Sequence, residues 1–425
     1  MNRNITRRQF AKSVGLGAAA LTVPAKLIGQ SKPHVVVVGG GAGGATAARY
    51  LIQNSEGAVD VTLVENSKKY TSCFFSNLYI GGFRNFNSIT HSYDKLASDY
   101  NINVINGYAN EIDRSNKTVK LEDGTTLNYD RLVLSPGIDL VFDSVPGYSE
   151  EAAKIAPHAW QAGPQTQLLK QKLENLKNGD NVIMVAPPNP YRCPPGPYER
   201  ASMMAHLFKS KGMSDSTITI IDPKPKFSKQ GLFSAGWAEH YPGMIEWISP
   251  DIHGGILSVD VEAGTVETDF DTFEGQLLNV IPKQHAGLIA HRAGLVDDAG
   301  FCQIHGESMR SKVDDNVFVV GDASVAGAMP KSGFSANSQA KIAAMHVLGD
   351  LINSDTFAGV YANICWSLIG ANDGVKVGAQ YQSVDGEIVS NSTFISQSNE
   401  TTAIRKKTFE ESLGWYEGII KDMFG

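Results

Sequence analysis

The sequence has little cysteine and no excess of basic residues. Four cysteines occur in 425 residues, Cys73, Cys193, Cys302 and Cys365. None forms C-x-x-C, which excludes an adjacent-cysteine dithiol. No C-x-x-C-H exists, so this chain carries no c-type haem. The ten histidines include no H-x-x-x-H pair and no ligand spacing with a cysteine, which argues against a metal site. Lys and Arg total 37 against 44 Asp and Glu, a net charge of −7. That is the wrong sign for a general nucleic-acid binder and suits a basic partner. No stretch approaches about 18 uninterrupted apolar residues, so stable membrane insertion is not expected.

The first 30 residues are expected to lie outside the fold. "TRRQFAK" (6–12) carries Arg7 and Arg8, and a weakly apolar run follows over 14–28, with Pro24 and Ala25 near its end. This is the layout of a twin-arginine export signal. It predicts a periplasmic protein that folds around its cofactor before export and works where a disulfide can persist.

"HVVVVGGGAGGATAARYL" begins with four valines, read as a buried parallel strand. Gly39, Gly41 and Gly44 then spell G-x-G-x-x-G before a helix with small residues on its inner face. The next strand ends at Glu65, about 20 residues on, where an acid grips a ribose hydroxyl pair. "NVFVVGDASVAGAMPKSGFSANSQAKIAA" reads as a strand, then Gly321-Asp322, a loop and a helix. Asp322 is placed to accept hydrogen bonds from the sugar-like chain of a flavin, and the helix N-terminus to face the flavin's pyrimidine edge. Together with the N-terminal fingerprint this predicts FAD.

The middle of the chain begins a second strand-turn-helix at 181–186. The turn that should hold an NADH pyrophosphate instead reads "PPNPYRCPPGPYE". Six prolines remove backbone N–H donors and fix φ, so the loop cannot cradle a pyrophosphate in the usual way. NADH is therefore not expected as the electron donor. Cys193 sits in this loop, where a nicotinamide would otherwise meet the flavin. A link from it to the distant Cys365 would either staple the chain or, at that place, do redox work. Cys302 is read as a buried thiol without a role. The last 75 or so residues alternate like antiparallel strands with an Asp385-Gly386 turn, and a short amphipathic helix ends the chain.

These readings describe an α/β protein with two Rossmann-like βαβ nucleotide-binding domains, an FAD domain and a degenerate NADH-like domain, followed by a C-terminal α+β domain. The expected boundaries are 31–145 and 283–350 for the two parts of the FAD domain, 146–282 for the NADH-like domain, and 351–425 for the C-terminal domain.

Across "VVVVGGGAGG", "YTSCFFSNLYIGG", "PPNPYRCPPGPYERASM", "FVVGDA", "NICWSLI" and "WYEGIIKDMFG" the chain resembles the flavoprotein subunit of flavocytochrome c sulfide dehydrogenase. The resemblance implies a thioether from Cys73 to the 8α-methyl of FAD, which would prevent cofactor loss outside the cell. It implies a redox disulfide between Cys193 and Cys365 above the flavin, with Cys365 the nearer sulfur, and an acid–base role for Glu199. Lys331 would stabilise negative charge on the reduced flavin. Hydrosulfide would open the disulfide by thiol exchange, and electrons would leave to a c-type cytochrome subunit in a heterodimer. The rival readings are a periplasmic sulfide:quinone oxidoreductase, an NADH-dependent disulfide reductase disfavoured by the proline loop, and a non-catalytic flavin-binding electron carrier.

Overall fold

The valine run forms strand β1 (His34–Val38), almost wholly buried, as a strand with parallel neighbours on both sides must be. Helix α1 (Ala42–Ser55) follows, and its buried alanines 45, 47 and 48 let it lie close to the sheet. Strands β2 (Asp60–Glu65), β3 (Asn103–Asn106) and β4 (Arg131–Leu134) extend this sheet in parallel. The short helix α2 (Ser76–Ile80) starts three residues after Cys73. The computed structural model describes residues 31–425, so the twin-arginine expectation falls on residues outside the description.

A second parallel sheet is built from β5 (Val182–Val185), β6 (Ile218–Ile221), β7 (Ile245–Ile248) and β8 (Leu277–Val280), in the order β7-β6-β5-β8. Helix α3 (Gly196–Ser210) crosses from β5 to β6, and α4 (Gln230–His240) from β6 to β7. The chain then returns to the first sheet through β9 (Val317–Val319), which pairs with β4 and gives the order β9-β4-β1-β2-β3. Helix α5 (Gly333–Ile352) leaves that edge and packs along α1. The first sheet is thus assembled from both sides of an inserted second Rossmann-like unit.

The third sheet is antiparallel: β10 (Val360–Gly370), β11 (Asp373–Val384) and β12 (Glu387–Ile395). Asp385 and Gly386 turn the last hairpin with φ of +51° and +81°, as the Asp-Gly pair predicts. The final helix is longer than its apolar pattern suggests. Helix α6 spans Thr402–Phe424, 23 residues, with the Thr401 side chain accepting from the Ile404 N–H as its cap. Its polar first turns, including Arg405, Lys406 and Lys407, hid that start. The helix packs on its own chain. Tyr416 Oη lies 3.1 Å from Ser72 Oγ and 2.9 Å from His91 Nε2, while Phe424 meets the rings of Tyr70, His91 and Tyr93.

Tyr416 therefore clamps α6 to the segment carrying Cys73. Tyr416→Ala is expected to lower unfolding free energy by about 3–5 kcal/mol through the lost ring volume, and Tyr416→Phe by about 1 kcal/mol through the lost hydroxyl contacts. Denaturant titration checks both; equal losses would mean that the ring contributes nothing.

Candidate active site

The glycine-rich turn is held open by backbone approach. Gly39 takes φ +97°, and a Cβ there would lie 2.2 Å from the Ser135 carbonyl oxygen. A Cβ on Gly44 would lie 1.8 Å from the Gly39 carbonyl oxygen, so this residue must be glycine for α1 to start where it does. These residues open onto a cleft of about 490 Å³ lined by Gly39, Gly41, Glu65, Cys73, Asp322 and the first turn of α5, within the usual size of a cofactor site. Glu65 accepts from the Gly40 N–H at 2.7 Å and the Ser67 N–H at 2.9 Å, so the predicted ribose acid also fixes the glycine loop. Each of its oxygens keeps another lone pair for a ligand hydroxyl.

Gly321 is fixed by its N–H donating to Gln339 Oε1 at 2.7 Å. Next to it, Asp322 Oδ1 is buried without a partner. A buried orphan carboxylate oxygen on a cleft wall calls for a donor, and the hydroxyls of a flavin side chain fit that need. Ser332 caps α5, and Ser332 and Gly333 bring that helix N-terminus to the cleft. The residues present fit FAD.

Lys331 departs from its expected place. Its ammonium donates to the Asp322 and Ser324 carbonyl oxygens, both at 2.8 Å, and lies 3.8 Å from the centre of the Phe301 ring. It braces the Gly321–Ala323 turn, and its side chain does not line the cleft. Its own carbonyl accepts from the Cys193 N–H at 2.8 Å, which ties the proline loop to the flavin side. Burial lowers Lys331 to about 8. Cys302 is fully buried nearby, pushed up to about 12 by burial, the environment of an inert thiol.

A second, smaller pocket of about 90 Å³ abuts the cleft. Cys73, Cys193, Glu199 and Cys365 all face it, among the rings of Trp160, Phe334, Trp366 and Trp415. Cys73 and Arg192 line both spaces. All four cysteines are free thiols in this structure. Cys193 holds φ +57°, an uncommon region for a residue with a side chain. A Cβ on Gly196 would sit 3.0 Å from its sulfur, so glycine there leaves the thiol its room.

Glu199 joins the parts. Its Oε2 accepts from Asn77 Nδ2 at 2.9 Å, and its Oε1 from the Leu368 N–H at 2.9 Å. Asn77 follows Cys73 closely, Glu199 follows Cys193, and Leu368 follows Cys365. One carboxylate therefore ties together the three segments that carry the pocket's cysteines. Burial raises Glu199 above the ordinary carboxylate range, while the bonds from Asn77 and Leu368 hold it down. Burial also raises Cys73, with Arg192 opposing, and takes Cys193 well above the usual thiol value.

Sequence reading missed Arg192, Arg200, Asn77, Asn363 and Lys229. Arg200 is buried and donates to the His158 and Ala159 carbonyls and to the Asn77 and Asn279 side-chain oxygens. Lys229, also buried, donates to the Cys365 carbonyl at 3.0 Å and to Ser367 Oγ at 2.8 Å. Arg192 was signalled by its place beside Cys193. The others come from segments joined only by folding.

Comparison with known proteins agrees with this arrangement. Residues 33–180 match the family "Pyridine nucleotide-disulphide oxidoreductase". Residues 166–282 match "Sulfide dehydrogenase [flavocytochrome c] flavoprotein chain, central", and 358–424 match "Flavocytochrome c sulphide dehydrogenase, flavin-binding". The flavoprotein chain of the sulfide dehydrogenase of Chlorobaculum thiosulfatiphilum is 51% identical over 44 residues, 10% of this chain and 90% of that sequence. This chain belongs to the sulfide dehydrogenase and sulfide:quinone oxidoreductase-related flavoproteins. The sulfide-quinone reductase of Aquifex aeolicus is 24% identical over 371 residues, covering 80% of this chain and 82% of that one. The X-ray structure of the sulfide:quinone oxidoreductase from the same organism shares the fold, with a TM-score of 0.73 and 20% identity over 92% of each chain.

Within this flavoprotein the second Rossmann unit is closed to NADH in two places. The proline loop withholds N–H donors. Asp222, immediately after β6 and so matching Glu65 in the first unit, is fully buried. It accepts from the Tyr198 hydroxyl and from Trp247 Nε1, and pairs with the Lys224 ammonium at 2.6 Å. The acid that would hold an adenosine ribose is thus already satisfied in the core.

Two outcomes follow. NADH is expected to leave the flavin absorbance of the purified protein unchanged; reduction at a substrate-like rate would contradict the closed second site. Gly44→Ala is expected to lower flavin content, read as the ratio of visible to ultraviolet absorbance, severalfold below wild type.

Proposed function

We propose that this flavoprotein oxidises sulfide to sulfur or polysulfide through a Cys193–Cys365 disulfide and delivers the electrons to a c-type cytochrome subunit. The observation that carries this reading is the meeting of Cys193, Cys365 and Glu199 in one apolar pocket that shares Cys73 with the flavin cleft. Glu199 takes the proton of incoming H₂S, a task suited to a carboxyl raised toward neutrality. The hydrosulfide then attacks one sulfur of the disulfide. A new sulfur–sulfur bond forms, the cysteine bond breaks, and the other cysteine leaves as a thiolate holding the electron pair. FAD, held by the glycine turn at Gly39–Gly44, by Glu65 and by Asp322, would supply the acceptor for that electron pair and the means of passing it on singly. The aromatic walls exclude water and keep the neutral substrate form soluble in the pocket. A thioether from Cys73 to the flavin is part of this proposal, as is export to the periplasm through the motif at Arg7 and Arg8.

The similarity to the Aquifex aeolicus sulfide-quinone reductase favours a second reading, in which a quinone takes the electrons. No helix among the described residues is long and apolar enough to cross a membrane. Anaerobic sulfide titration separates the readings. Bleaching of the flavin followed by reduction of cytochrome c supports the first, and transfer to quinone alone supports the second. Cys193→Ser and Cys365→Ser should each abolish bleaching; normal bleaching in both variants would refute the disulfide mechanism.

The pH dependence carries a sign. A general base works only when deprotonated, so the rate of flavin reduction should rise with pH through the raised pKa of Glu199. Glu199→Gln should lower the rate by about 10²-fold and remove that rising limb. A rising limb that survives the substitution would assign the base elsewhere. Mass spectrometry of peptides checks the flavin link: the mass of FAD should stay on the peptide holding Cys73 after denaturation, and be lost in Cys73→Ser.

A further inference from the structure

Cys365, Asn363 and Ser367 alternate along β10 and so present their side chains to one face of the strand. Two fixed donors meet the Cys365 residue on that face. Asn363 Nδ2 lies 3.3 Å from the Cys365 sulfur. Its Oδ1 accepts from Ser332 Oγ at 2.6 Å and lies 3.9 Å from the same sulfur, so the Nδ2 donor is the nearer of the two amide groups. Lys229 reaches in from the start of α4, in a left-handed backbone conformation with φ +62°. Its ammonium is held by the Cys365 carbonyl and Ser367 Oγ, and its charge opposes the burial that raises the Cys365 thiol. A buried ammonium needs a reason to be there, since desolvation disfavours it. Among the described residues no hydrogen-bond donor reaches the Cys193 sulfur; burial raises its pKa most, Cys365, Glu199 and Cys73 add to this, and Arg192 opposes it.

On the proposed sulfide mechanism, we propose that Lys229 and Asn363 are positioning residues that stabilise a thiolate at Cys365, making Cys365 the leaving sulfur and directing hydrosulfide to Cys193. In that step the hydrosulfide sulfur bonds to Cys193, giving a persulfide. The Cys193–Cys365 bond breaks, and Cys365 departs as a thiolate with the electron pair, without net proton transfer. The leaving sulfur of lower pKa departs faster. The electrostatics agree in direction: burial raises both thiols, and at Cys365 the opposing influences are Lys229, Asn363 and Ser332. Lys229, lowered by burial to about 8, is mostly charged at neutral pH. The other titratable groups that act on Cys365 are Glu199 on α3, Cys193 on the proline loop and Tyr381 on β11.

The test uses the flavin-loaded protein. Peptide mapping without reductant comes first, and an absent Cys193–Cys365 link would overturn the proposed function itself. The protein is then reduced with dithiothreitol and treated with iodoacetamide across a pH series, with each cysteine followed by peptide mass. In wild type, Cys365 should react at lower pH than Cys193. In Lys229→Met and in Asn363→Asp, alkylation of Cys365 at neutral pH should slow about tenfold, the effect of one pKa unit on thiolate content. Cys193, on which Lys229 acts more weakly, should change less than Cys365, and Lys229→Arg should restore Cys365. Asn363→Asp keeps an oxygen for Ser332, removes the donor and adds a like charge beside the sulfur, so it opposes a Cys365 thiolate even if Lys229→Met folds poorly. Unchanged Cys365 reactivity in both variants, or the same pH profile for both cysteines in wild type, would overturn the inference.

Discussion

Everything at the centre of this molecule depends on one carboxylate. Glu199 accepts one hydrogen bond from the helix just after Cys73 and another from the strand just after Cys365, while its own helix begins just after Cys193. Three segments far apart in the chain belong to three sheets or their connections, and this side chain holds their reactive ends in one place. The requirement for dryness follows from it. A carboxylate with two well-placed donors tolerates burial that would otherwise make it prohibitively unfavourable. The surrounding aromatic rings can then close over the pocket without leaving a charge unsatisfied.

The second Rossmann unit shows how a fold keeps its frame and changes its purpose. Its parallel sheet is intact, and its strands and crossover helices occupy the places a dinucleotide domain requires. What has changed is the rim. Prolines occupy the turn, and the acid after β6 has been drawn into a buried cluster with Tyr198, Trp247 and Lys224. Cys193 sits in that turn, on the wall of the pocket that abuts the cleft. A docking edge for a diffusible cofactor has become a wall carrying a fixed thiol.

The parts legible in the sequence were those whose physics is local. Gly39 and Gly44 announce themselves because no side chain fits within about 2 Å of a backbone carbonyl oxygen. Asp385-Gly386 specifies its own turn, and six prolines in one loop exclude a phosphate cradle by themselves. Lys229 was illegible for the opposite reason. In "DPKPKFSK" three lysines look alike, and only folding sends Lys224 to Asp222 and Lys229 to the Cys365 carbonyl under β10. Lys331 misled because its neighbours in sequence point to the flavin, whereas its flexible side chain found two carbonyls behind the turn. The true start of α6 was hidden by polar residues whose partners come from elsewhere, as Arg405 shows by pairing with Asp373.

The placement of the tryptophans has an optical consequence. Of five in the chain, Trp160, Trp366 and Trp415 line the thiol pocket beside the flavin cleft, whereas Trp237 and Trp247 lie in the second Rossmann unit. Indole emission overlaps flavin absorption. The first three, which line the pocket beside the cleft, should therefore be quenched by energy transfer whenever the cofactor is seated. Intrinsic fluorescence of this protein would then report cofactor occupancy, and a rise in emission would mark loss of contact between the flavin and the pocket walls.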